Sequence, residues 1–125
     1  PVMIALDAPK RDVCMVKRDA TATPLQAFVY MNDPQAVEAA RTLSARLLSQ
    51  YGDATESLLT DLFRRLTSRT PNGRERAVLA RMYAEQWTHF EARLDQARAF
   101  LETGESAVPE GANLAKLAAL AAVTS

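Results

Sequence analysis

Apolar residues along this chain recur every three or four positions, in stretches separated by turn-forming residues. That is the pattern of helices packed through one face each. The first helix start is Thr23-Pro24-Leu25-Gln26: threonine at N-cap, proline at N1 and glutamine at N3 make a capping box with its favoured proline. The helix is short and stops near Asn32, because Asp33-Pro34 at once offers a second N-cap followed by a second N1 proline. In the second helix Val37, Ala40, Leu43, Leu47, Leu48 and Tyr51 form one stripe, and Gly52 is placed to end it. Asp53-Ala54-Thr55-Glu56 repeats the cap-x-x-Glu pattern for a third helix, whose stripe is Leu58, Leu59, Leu62, Phe63 and Leu66.

Thr70-Pro71-Asn72-Gly73 breaks the pattern, and Asn72 with Glu75 opens a fourth helix predicted to run unbroken to about Glu102. Its seam is Tyr83, Trp87, Phe90, Leu94, Ala97 and Leu101, the spacing of antiparallel helix packing. Gly104 ends it, a loop with Pro109 follows, and an Ala/Leu-rich helix begins near Ala112. Residues 1–22 lack a helical period and read as an extended N-terminal segment lying across the helices. The expected fold is therefore all-α: one domain over residues 1–125, with 1–22 extended and 23–125 a bundle of about five helices. Short connections make sequential helices neighbours, with up-down packing as the expected topology.

The chain has 125 residues, enough for one self-sufficient core. Its 15 Lys and Arg are balanced by 15 Asp and Glu, so the net charge is zero and the basic footprint of a nucleic-acid binder is missing. No apolar run reaches the roughly 18–20 residues that span a bilayer. Because the sequence opens on Pro1 and stops directly after a helical pattern, it reads as a piece of a longer, multidomain polypeptide.

Candidate chemistry is sparse. His89 is the one histidine and Cys14 the one thiol, too few for a zinc set, and no calcium loop is legible. No CxxCH is present, so these residues attach no c-type haem; no cofactor is expected in this stretch. A nucleophile elbow and a phosphate loop are also missing, and no catalytic residue is assigned. His89 has Glu85 and Arg93 at i−4 and i+4 and reads as a half-buried member of an ion-pair row. Cys14 lies among Arg11, Lys17 and Arg18, which would lower its pKa, but it reads first as a buried structural thiol. The aromatic seam reads as core.

One cluster exceeds what local rules explain. Arg11, Asp12, Lys17, Arg18, Gln26 and Asn32 gather beside two successive helix starts. Capping accounts for Thr23 and Asp33, whereas paired cations next to two helix N-termini would attract an anion or a partner's carboxylates. These six residues are the candidate ligand or interface set.

The same region carries a resemblance. Cys14-Met15-Val16-Lys17-Arg18, Thr23-Pro24-Leu25-Gln26-Ala27, Asn32-Asp33-Pro34 and Val37-Glu38-Ala39-Ala40-Arg41 follow one another without a gap. Together they resemble the domain of unknown function at the C-terminal end of planctomycete-type cytochrome proteins. Two positions depart from that pattern: Ala22, where asparagine is usual, and Lys17, where arginine is common. The resemblance implies a multidomain parent exported to the periplasm or cell surface, with a c-type haem elsewhere in that parent. It also implies a preceding domain of the same polypeptide as the natural partner.

Three functions follow as expectations. The first is a non-catalytic structural domain that docks on the preceding domain through its N-terminal segment. The second is a ligand-binding module for an anionic or carbohydrate ligand held by Arg18, Gln26 and Asn32 together. The third is an accessory part of an exported enzyme whose reactive groups lie outside these residues.

Overall fold

A computed structural model describes residues 23–104, 107–109 and 111–125, without the side chains of Tyr30, Met31 and Asn32. Among the described residues the chain is all-α, with no strand. Six helices follow one another: α1 (Pro24–Asn32), α2 (Pro34–Tyr51), α3 (Thr55–Thr67), α4 (Gly73–Glu91), α5 (Leu94–Leu101) and α6 (Leu114–Thr124). The extended N-terminal segment expected over 1–22 lies outside the described residues.

Three starts form as the residues predict. In α1 the Thr23 hydroxyl accepts the Gln26 N–H at 3.2 Å, while Gln26 Oε1 accepts the Thr23 N–H at 3.0 Å. Asp33 accepts the Gln35 N–H at 2.9 Å and so starts α2, and its extended backbone, imposed by Pro34, separates α1 from α2. In α4, Asn72 and Glu75 close a second capping box, at 3.0 and 2.8 Å.

The α3 start differs from expectation. Ala54, not Asp53, is the N-cap, and no side chain caps the helix. Asp53 instead forms an ion pair with Lys116, sixty-three residues away in sequence and next to the α6 start. A long-range cation outcompeted the local N–H groups for the same carboxylate.

The predicted fourth helix is in fact two. The chain leaves the helical path at Ala92 and Arg93, where Arg93 adopts φ −141° and ψ 66°. No glycine or proline marks this break. Its consequence is visible in the aromatic packing: the rings of Phe90 and Phe100 stack with centroids 5.8 Å apart. In one straight helix, ten residues would separate them by about 15 Å along the axis. The seam therefore folds back on itself; Tyr83, Phe90, Ala97 and Leu101 stay buried, and Leu94 at the bend is 56% exposed.

The core forms around α6. Its residues Ala115, Leu117, Ala118, Ala119, Leu120 and Ala121 are all buried, and it packs against α2, α4 and α5. Consecutive helices from α1 to α5 also pack on one another, as short connections require. α3 contributes Leu58, Leu59 and Leu62 to the core, and α2 contributes Leu47. Phe63 is half-buried beneath the Arg69 guanidinium, 4.8 Å above its ring, while Leu66 faces outward. No helix is long and apolar enough to cross a membrane among the described residues.

Candidate functional site

Of the sequence-predicted site, the described part is the corner where α1 meets α2. α1 is fixed at its start by the capping box and at its end by Asp33-Pro34, and among the described elements its main packing partner is α2. It keeps two large apolar side chains on its outer face: Leu25 is 60% and Phe28 65% exposed. These stand three positions apart, hence on one side of the helix.

Of the six predicted site residues, Gln26 is described in full. Its side-chain oxygen is engaged by the Thr23 N–H, so helix capping accounts for that half of its amide. Asn32 is the last residue of α1, and its side chain lies outside the described residues. Arg11, Asp12, Lys17 and Arg18 lie outside them too, as does Cys14.

Two residues at this corner escaped the sequence reading. Arg41 is only 2% exposed, and its guanidinium donates to the Leu101 carbonyl at the end of α5. Glu38, one turn earlier, approaches the same guanidinium at 3.9 Å. A cation on the last carbonyls of a helix is favoured by the helix dipole and by the unpaired oxygens there. The chain then turns away at Gly104, whose φ of 104° favours glycine; a Cβ there would stand 2.9 Å from Glu38 Cβ. Arg41, with Glu38 close against Gly104, thus pins α2, and with it the α1 corner, to the end of α5. The available signal was a charged i,i+3 pair inside the otherwise small and apolar run Val37–Arg41.

A second concavity opens between α2 and the start of α6. It encloses about 360 Å³ and is lined by Ala45, Leu48, Asp53, Pro109, Asn113 and Lys116 among others. Its polar rim is the Asp53–Lys116 pair, in which the Lys116 ammonium holds the Asp53 carboxyl below the usual carboxylate range. The same ammonium lies 4.8 Å over the Trp87 ring. Trp87 Nε1 is buried and donates to no group among the described residues. Burial, reinforced by the Asp53 charge, pushes the Tyr83 hydroxyl above its ordinary pKa. These contacts neutralise Lys116 and tie α6 to the α2–α3 turn.

His89, expected to be half-buried, is exposed; its Nδ1 stands 2.9 Å from Arg93 Nη1, and its ring meets Phe90 edge-on at 5.2 Å. Glu85 pairs instead with Arg81. Among the described residues no three His, Cys, Asp or Glu side chains stand close enough to hold a metal ion. Among the described residues, no nucleophile, base and oxyanion donor come together at the corner or in the cleft.

A family model described as a protein of unknown function (DUF1553), PSD1, matches residues 1–83. That stretch takes in the N-terminal segment, α1, α2, α3 and the first half of α4. No curated protein and no solved structure matches the chain.

Proposed function

The chain belongs to the PSD1 family of proteins of unknown function (DUF1553), and from that premise we propose that it is a non-catalytic interaction domain that docks on the preceding domain of its polypeptide. The observation that carries this reading is the outer face of α1, where Leu25 and Phe28 are 60% and 65% exposed. Large apolar side chains presented together by a rigidly capped helix fit an interface better than they fit water. The corner is also braced from behind, since Arg41 holds α2 to α5. A docking surface set on rigid elements binds with little ordering cost.

The resemblance to the C-terminal domain of planctomycete-type cytochrome proteins supplies the wider setting of the proposal. The parent is exported to the periplasm or cell surface, carries c-type haem in another module, and uses Lys17 and Arg18, which precede α1 in the sequence, to meet carboxylates of the partner.

Calorimetric titration of this chain with the polypeptide that precedes it tests the proposal. Micromolar or tighter binding is expected, weakened both by Leu25→Ser/Phe28→Ser and by Lys17→Ala/Arg18→Ala. Binding that survives both double substitutions unchanged, or no binding by a folded chain, overturns it.

A further inference from the structure

The cleft between α2 and the start of α6 lies outside the α1 docking face. Its volume of about 360 Å³ is near the lower end of the range for small-molecule sites. Ala45 and Leu48 of α2, Leu117 of α6 and the loop residues Pro109 and Ala112 give it an apolar lining. Its uncharged polar side chains are engaged locally. Ser49 donates to the Arg46 carbonyl at 2.9 Å, and Asn113 caps α6 by accepting the Lys116 N–H at 3.1 Å. The charged groups among the described lining residues are Asp53 and Lys116, paired at the rim.

An ion pair at a protein surface is ordinarily worth little and marks no site. This one is lopsided. The Lys116 side chain is 24% exposed and rests against the Trp87 ring, its ammonium 4.8 Å from the centroid, whereas the Asp53 side chain is 90% exposed. Packing holds the cation in place, while its counterion stands almost wholly in water. Exchanging that counterion for another carboxylate therefore costs little, because Asp53 regains its full hydration as it leaves.

Asp53 also has a second place to go. It directly precedes Ala54, the N-cap of α3, and no side chain caps that helix. A carboxylate is favoured beside the unpaired N–H groups of a helix start. Once released from Lys116, Asp53 still stabilises α3 with its charge.

The cluster is short of acceptors. The ammonium carries three donors, one of them on Asp53, and Trp87 Nε1 is buried with no acceptor among the described residues. A neutral apolar molecule in the cleft would leave that shortage as it is, and a cation would meet the Lys116 charge. We propose that the cleft binds a small amphiphilic carboxylic acid as its anion, with the apolar body against Ala45, Leu48 and Ala112 and the carboxylate on Lys116 in place of Asp53. The cleft shares no residue with the docking face of α1, so either reading stands or falls without the other.

The test is a titration of the ¹⁵N-labelled chain with hexanoate and octanoate, with the alcohols of equal chain length as uncharged controls. The chain has one tryptophan, so its indole N–H gives a single reporter beside Lys116. At least one acid is expected to give saturable shifts of that resonance together with the amides of Gly52, Gly111 and Lys116. The matching alcohol should bind about tenfold more weakly, and Lys116→Gln should weaken binding of the acid by a similar factor of about ten. Asp53→Asn changes a solvent-exposed side chain and removes the competing carboxylate, so it should tighten binding roughly threefold. A purely structural ion pair predicts no such gain. Absence of saturable shifts with both acids overturns the assignment, as does equal binding of the matching alcohol. Unchanged or lowered affinity in the folded Asp53→Asn variant overturns it too.

Discussion

Arg41 and Glu75 are both charged residues in ion pairs, and their surroundings give them opposite sensitivities. Arg41 is sealed from water with its guanidinium on the Leu101 carbonyl, so removing it strands a buried carbonyl. Arg41→Met should destabilise the fold by about 2 kcal/mol, as the loss of a charged donor to a buried acceptor does, read as a fall in the urea midpoint. A change within experimental error would show that water reaches these groups. Glu75 sits nearer the surface, where Arg69 grips both carboxylate oxygens at 2.9 and 2.6 Å. Arg69 first, then the Asn72 N–H, lower its pKa from 4.5 to about 2. A folded pKa below the unfolded one means a contribution fully present above pH 4.5 and lost as pH falls through about 2. Glu75→Gln keeps the capping box and removes this titration. Stability of the variant should therefore fall less steeply than the parent's across that window, in urea unfolding at successive pH values; parallel curves would refute the assignment. Asn72 and Glu75 were legible in the sequence because a capping box is local. Arg41 was not, because its acceptor lies sixty residues away and nothing in its neighbours announces that carbonyl.

Elements were legible wherever their ends are set by side chains within four residues. The starts of α1, α2 and α4 belong to this class. The α3 start does not, since the rule that gives Asp53 to its own helix cannot see Lys116. The bend between α4 and α5 was hidden for a related reason. Periodicity continues through residues 83–101, and only the pairing of Phe90 with Phe100 shows that the seam closes on itself. The candidate cluster of Arg11, Asp12, Lys17, Arg18, Gln26 and Asn32 rested on crowding of polar residues along the sequence, a signal that cannot separate capping from binding; Gln26 has a capping role. The turn after α5 gives a test at this scale. Gly104 and Gly111 both have positive φ, 104° and 78°, but only at Gly104 would a Cβ meet another side chain, that of Glu38. Gly111→Ala should cost about 1 kcal/mol from backbone strain alone. Gly104→Ala should cost at least about 2 kcal/mol, because the Glu38–Arg41 link to α5 must shift as well. Equal losses in thermal unfolding would mean that α2 and the post-α5 turn are not locked together.

For the whole molecule the decisive element is α6, whose pattern is nearly featureless: eleven residues, apolar on every side but for Lys116 and Thr124. A helix that is apolar all round belongs at the centre of a bundle. There α6 lies against α2, α4 and α5, with Leu117 and Leu120 fully buried. The family match ends at residue 83, so the matched helices are completed in this chain by a helix outside the matched stretch. Stability should therefore depend on α6 more than on any residue of the α1 docking face. Leu117→Ala and Leu120→Ala should each cost about 3 kcal/mol, in line with methylene removal from a close-packed core. A chain ended at Gly104 leaves the inner faces of α2, α4 and α5 in water, and its thermal transition, followed by circular dichroism, should lose its cooperativity. Retention of a sharp transition with the helix content of the remaining residues would mean that the matched part holds its own core. In that case α6 would be an appended strut, and the long-range pair of Asp53 with Lys116 would fasten a removable part.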